Sequence, residues 1–131
     1  MKLKPDKKEV LKVLVIDDEQ VIASMFADML EADGYDATVA CSGYEGLIKA
    51  RKYRPDIIIL DLNMPVMDGF EVLEKLKKDD LTKNIPVLIA SVKDGGEDMK
   101  KGFNLGAKKY FVKPCSFKRL SHELHECEGA G

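Results

Sequence analysis

Asp17 and Asp18 follow directly on the run Lys12-Val13-Leu14-Val15-Ile16, and Asp61 follows directly on Ile57-Ile58-Ile59-Leu60. If the two runs are neighbouring strands, three carboxylates meet at one edge of a sheet. Like charges held close raise the pKa of at least one of them unless a cation compensates. A hard divalent ion is the economical compensation. Mg²⁺ fits because the cluster offers oxygen ligands with no His or Cys, and because this ion keeps several waters and shares its shell with phosphate. Zinc, which favours nitrogen and sulfur, fits poorly. Taken singly, each residue has a plainer use: Asp17 and Asp18 also suit strand termination or a helix cap. Asp61, ahead of Asn63-Met64-Pro65 and Asp68-Gly69, also suits a solvated turn.

The elements that must position these residues can be read around them. Lys12 to Ile16 is β-branched, too short for a helix and suited to a strand buried on both faces. Similar runs at Ile57 to Leu60, Ile85 to Ala90 and Tyr110 to Val112, with a weaker one at Thr38 to Ala40, predict five strands. Val21, Ile22, Met25, Phe26, Met29 and Leu30 form a wide apolar stripe on a first helix that Gly34 can terminate. Ser42 with Glu45, Asp68 with Glu71, and Asp94 with Glu97 show the spacing of reciprocal capping bonds and start three more helices. Ser116 opens the last, where Phe117, Leu120, Leu124 and Cys127 share a face. Alternating strands and helices imply a doubly wound α/β fold, parallel strands joined by right-handed crossovers with helices on both faces. Ligands bind such sheets outside the carboxyl ends of the strands, where the aspartates lie.

The bulk numbers set limits. The 131 residues, 45% hydrophobic, suit one compact domain, here 11–127, with a mobile lead-in over 1–10 and a short tail over 128–131. Lys and Arg total 21 against 23 for Asp and Glu, so the net charge of -2 gives no reason to expect direct nucleic-acid binding. No apolar run is long enough to span a membrane, and the polar start lacks a signal-peptide core, so the expected location is cytoplasmic. Cys41, Cys115 and Cys127 are odd in number and unpaired in pattern, which predicts reduced thiols.

Four segments in order, Leu14-Val15-Ile16-Asp17-Asp18-Glu19, Leu60-Asp61-Leu62-Asn63-Met64-Pro65-Val66-Met67-Asp68-Gly69, Pro86 to Ser91, and Gly106-Ala107 through Tyr110-Phe111-Val112-Lys113-Pro114, resemble the receiver domain of two-component response regulators. The resemblance runs from about Lys12 to Cys127 and implies a flavodoxin-like (βα)5 sheet in order 2-1-3-4-5. It implies that Asp61 accepts a phosphoryl group from a phosphohistidine of a histidine kinase or histidine phosphotransfer protein. Asp18 and Asp61 would bind Mg²⁺, or Mn²⁺ as a substitute, directly. Asp17 would bind it through water, and Asn63 by its backbone carbonyl. Lys113 would contact a phosphoryl oxygen, its side chain aimed inward by a cis bond to Pro114. Ser91 would donate to another oxygen, with Tyr110 turning inward as Ser91 moves, so that the fourth helix and last strand carry the signal. Such a protein promotes its own phosphorylation and dephosphorylation and does not turn over a separate substrate.

Some features depart from the commonest family pattern. Val92 replaces a frequent alanine and is expected to narrow access to the pocket. Lys108-Lys109 stands where many DNA-binding regulators carry acids that pair across a dimer, and Cys115 stands for a common phenylalanine and reads as packing. Gly95-Gly96 suits either a soft entrance to the fourth helix or a simple loop. His122 and His125 lack the H-E-x-x-H spacing of a metal site and fit an exposed helix face. Ile22 and Met25 suit either core or an apolar patch for the phosphodonor. Two other α/β functions compete. A haloacid-dehalogenase-type phosphohydrolase wants D-x-D after the first strand, where Asp17-Asp18-Glu19 stands. A flavodoxin-like flavin protein would hold phosphate in a loop where these same acids repel it.

Overall fold

The computed structural model describes residues 10–92, 96–113 and 117–130, with the backbone path alone at 117 and 127–130. Expectations for residues 1–9, Asp94, Gly95, the Lys113–Pro114 bond, Cys115, Ser116, the side chains of Phe117 and Cys127, and Gly131 lie outside the described residues.

Strands β1 (Lys12–Ile16), β2 (Asp36–Ala40), β3 (Ile57–Leu60), β4 (Val87–Ser91) and β5 (Lys109–Val112) form one sheet in the order β2-β1-β3-β4-β5. Every pairing is parallel, as the strand-helix alternation predicts. The helices are α1 (Gln20–Ala32), α2 (Gly43–Tyr53), α3 (Gly69–Lys78), α4 (Gly96–Asn104) and α5 (Phe117–Ala130).

Successive strand residues feed two cores. Leu14, Ile16, Ile58 and Leu60 pack with Ala50 of α2 and Val72, Leu73 and Leu76 of α3. Val13, Val15, Ile57 and Ile59 pack with Ala23 and Leu30 of α1 and Leu120 and Leu124 of α5. Each fully buried Ile or Leu contributes roughly 1.5–3 kcal/mol, so the central strands are the best-held part of the fold. They are what fixes the aspartates at their ends.

The structure refines several boundaries. β4 begins at Val87 and not at Ile85, because the Ile85 carbonyl accepts from Lys77 Nζ at 2.8 Å and the Ile85 N–H donates to Thr82. Helix α1 ends as expected, with Gly34 at φ 99° and the Gly34 and Tyr35 N–H groups donating to Glu31 and Leu30. Its buried face, however, is Ala23, Ala27 and Leu30, while Val21, Ile22, Met25 and Met29 stand exposed. Two alanines bring the helix close to the sheet and leave the bulkier apolar residues outside.

At α2, Ser42 Oγ accepts from the Glu45 N–H at 3.1 Å, but the Glu45 carboxylate takes the N–H of Cys41, one residue before the cap, at 2.7 Å. That hydrogen bond, aided by Lys49, lowers the Glu45 pKa. Asp68 caps α3 through the Glu71 N–H at 3.0 Å.

Candidate functional site

Parallel pairing sets Ile16 beside Leu60, so the residues that follow them emerge side by side. The Asp61 N–H donates to the Ile16 carbonyl at 2.9 Å, and the Asp17 N–H donates to Ala40 at 3.0 Å, anchoring both backbones as continuations of the sheet. One carboxylate oxygen from each of Asp17, Asp18 and Asp61 lies within 4.8 Å of the others. Asp17 and Asp61 are only 3% and 5% exposed. The donors are all oxygen, the set that suits a small hard divalent cation.

Lys113 enters from the end of β5. Its N–H donates to the Ser91 carbonyl at 2.7 Å, and its Nζ lies 2.9 Å from Asp17 Oδ2 and 3.7 Å from Asp61 Oδ1. Burial works against the Lys113 charge, but its hydrogen bond to Asp17 and the charges of Asp61, Asp17 and Glu19 prevail and raise its pKa. Asp61 is different: burial raises its carboxyl from 3.8 to about 6, with Lys113 opposing and Asp17 and Asp18 reinforcing the rise. The cluster thus holds a crowded carboxylate that one ammonium only partly offsets.

The loop after Asp61 completes the pocket. The Asn63 N–H donates to Asp61 Oδ1 at 3.2 Å, and Asn63 Nδ2 approaches Ser91 Oγ at 3.4 Å. The loop returns to α3 by the bond from the Gly69 N–H to the Leu62 carbonyl. A Cβ on Gly69 would sit 2.5 Å from the Asp61 carbonyl oxygen and from Leu62 Cα, a close approach that only glycine permits. Asp18, Glu19, Asp61, Asn63, Val92 and Lys113 line a cavity of about 240 Å³ above the cluster.

The sequence expectations divide on this geometry. Asp17, Asp18, Asp61, Asn63 and Lys113 come together, and Val92 stands at the pocket wall, largely exposed. Ser91 is fully buried behind the lining and meets the pocket through Asn63. Tyr110 lies inward, 8% exposed, on the sheet face shared with Ile89. Glu19 joins the lining as well, and its place in the Asp-Asp-Glu run is the sequence signal for it. His122 and His125 face solvent on α5, with His122 near Glu126 and His125 against the Ser121 carbonyl. Lys109 pairs with Glu123 of the same chain at 3.3 Å.

The comparisons with known proteins agree with this geometry. The family model for the response regulator receiver domain matches residues 13–125. The DNA-binding dual master transcriptional regulator RpaA of Synechocystis is 39% identical over 109 residues, covering 83% of this chain and 45% of RpaA. The alkaline phosphatase synthesis transcriptional regulatory protein PhoP of Bacillus subtilis is 41% identical over 110 residues, 84% of this chain and 45% of PhoP. The chain therefore spans about half the length of these relatives. The solved structure of the chemotaxis protein CheY4 of Vibrio cholerae superposes with a TM-score of 0.86 at 35% identity, over 91% of this chain and 99% of CheY4. A five-stranded parallel sheet in this order, three carboxylates at its strand ends and a lysine reaching over them place the chain in the response regulator receiver domain family.

Proposed function

We propose that Asp61 is the phosphoacceptor of this receiver domain and that a phosphohistidine on a histidine kinase or phosphotransfer protein is the donor. The observation that carries this is a nearly buried carboxylate at the foot of an open pocket, with a pKa of about 6 and a lysine ammonium 3.7 Å away. At neutral pH the carboxylate is ionised and poorly solvated, which suits a nucleophile. An Asp61 oxygen forms a bond to phosphorus as the phosphorus–nitrogen bond of the donor breaks. The leaving imidazole keeps the electron pair and takes a proton from solvent. Lys113 is within reach of a phosphoryl oxygen on Asp61, and Ser91, linked to the pocket by Asn63, offers a hydroxyl to another once the chain around it moves inward.

Asp18 and Asp61 would hold Mg²⁺ directly, Asp17 through water and Asn63 by its carbonyl. The bound ion would neutralise the charge that repels an incoming phosphoryl group. Mn²⁺ would substitute, its ligand preference being similar. Positioning by the rigid strand ends supplies the rest. The exposed apolar residues of α1, Ile22 and Met25 with Val21 and Met29, start immediately after Glu19 at the pocket rim and favour a helix of the phosphodonor as the docking partner.

Signal output would run from Ser91 to Tyr110 and the α4–β5 surface, toward a protein partner and not directly to nucleic acid, in the cytoplasm. No helix among the described residues is long and apolar enough to cross a membrane. The test is intact-mass analysis after incubation with Mg²⁺ and a small phosphodonor. The parent should gain one phosphoryl group and Asp61→Asn should gain none; an unmodified parent refutes the assignment.

A further inference from the structure

We propose that the outward face of α2 is a docking site for an acidic, amphipathic helical segment of a partner protein, distinct from the phosphoacceptor pocket. Helix α2 meets the core through its smallest residues, Gly43 against α3 and Gly46 against β1, with Ala50 buried beside them. A Cβ at Gly43 would fall 2.8 Å from Val72 Cγ2, and one at Gly46 would fall 2.6 Å from Ile16 Cδ1, so the helix backbone rests directly on the core.

The large apolar residues of α2 lie on the other side. Tyr44, Leu47 and Ile48 recur at the spacing of one helical stripe, which Arg51 and Lys52 continue. Leu47 reaches partly into the core, but Tyr44 is 60% exposed and Ile48 65%. Leu81, from the loop after α3, faces this stripe across a groove of about 490 Å³ that Leu47, Ile48, Arg51 and Lys52 also line. None of these residues lines the phosphoacceptor pocket. A groove of this form receives the side chains of a second helix, ridge into groove.

Charge selects the occupant. Lys49 is paired with Glu45 on the sheet side, whereas Arg51 uses Nε to reach Asp79 at 2.9 Å and stays largely exposed. Lys52 lies 5.6 Å from the Tyr53 ring centroid, with no carboxylate partner among the described residues. Asp79 offsets part of the Arg51 charge, so Lys52 and the exposed remainder of the Arg51 guanidinium give the apolar groove its cationic end, complementary to a helix with two or three apolar residues flanked by Asp or Glu.

The test uses a helical probe peptide of about four turns, with leucines at one stripe and glutamates beside them, and a twin in which lysines replace the glutamates. Added to the isotope-labelled chain, the acidic peptide should shift the backbone amide resonances of residues 44–52 and of Leu81. Its affinity should fall with added salt. The lysine twin should bind about tenfold more weakly, and Ile48→Asp and Lys52→Glu should each weaken the acidic peptide while leaving the spectrum of the rest of the chain in place. Asp61→Asn should bind it like the parent, which separates this surface from the phosphoacceptor reading. Shifts confined to other surfaces, no shifts, or equal binding of the twin would overturn the proposal. Self-association abolished by Ile48→Asp would overturn it too, by assigning the face to a second copy.

Discussion

Asp61→Asn should make the metal-free domain more stable at neutral pH, and the gain should vanish in acid. Burial raises Asp61 from 3.8 to about 6 in the folded chain, helped by Asp17 and Asp18 and opposed by Lys113. Below the unfolded value the carboxyl is neutral in both states and contributes no linkage. Between the two values the unfolded chain has released a proton that the folded chain still holds, so stability falls as pH rises. Above the folded value both states are ionised and the full penalty persists. About two pH units at about 1.4 kcal/mol each set a ceiling near ~3 kcal/mol, and screening at the open pocket mouth brings the expected gain to about 1–2 kcal/mol.

Asparagine is close to isosteric, and its carbonyl oxygen can still accept the Asn63 N–H, so the substitution removes charge more than contacts. Urea unfolding with a chelator present reads the effect as a higher midpoint for the variant at about pH 7.5 that converges on the parent near about pH 4. Mg²⁺ added to the parent should narrow the gap, because a ligand of the folded state alone stabilises it. Equal midpoints at neutral pH, or a gain that does not change with pH, would refute the account of Asp61 as a strained, crowded carboxylate.

Gly69→Ala should cost about 1–3 kcal/mol and slow phosphorylation of Asp61, because the new methyl meets backbone atoms of Asp61 and Leu62 that have nowhere to move; normal stability with normal phosphorylation rates would show that the loop yields. Val66 is 92% exposed with φ 67°, a left-handed conformation that suits a β-branched residue badly. Val66→Asn should therefore raise stability by about 1 kcal/mol in urea unfolding, and an unchanged or lower midpoint would contradict that strain. Val92→Ala should widen the pocket mouth and speed loss of the phosphoryl group several-fold, measured as decay of the phosphorylated mass; an unchanged decay rate would clear Val92 of any shielding role.

Much of the site was legible because its residues sit at the ends of apolar runs. A run such as Ile57 to Leu60 fixes where a buried strand stops, and Asp61 is the next residue. Bringing Asp17 and Asp18 to Asp61 needed one further fact, that the first and third strands are neighbours. Periodicity does not supply that fact; the four motifs together did. Ser91 behind the lining, the reach of Asn63 to Ser91, and Glu19 at the rim were not legible. Each depends on side-chain direction where the backbone leaves regular structure.

On the helices, bulk is a poor guide to the buried face. Periodicity groups Val21, Ile22, Met25 and Met29 on α1, and the sequence leaves Ile22 and Met25 open between the core and an apolar patch. Close packing rewards small residues there: Ala23 and Ala27 bring α1 in, and Gly46 and Ala50 bring α2 in. The larger apolar residues are left in water, where each loses the burial that would otherwise stabilise the fold. On α1 the stripe begins at the rim of the phosphoacceptor pocket, where a phosphodonor must arrive. On α2 it lies apart from that pocket, beside cations that α1 lacks. As proposed, two surfaces with different charge and different distance from Asp61 would let one chain receive its phosphoryl group on one side while a second protein holds it on another.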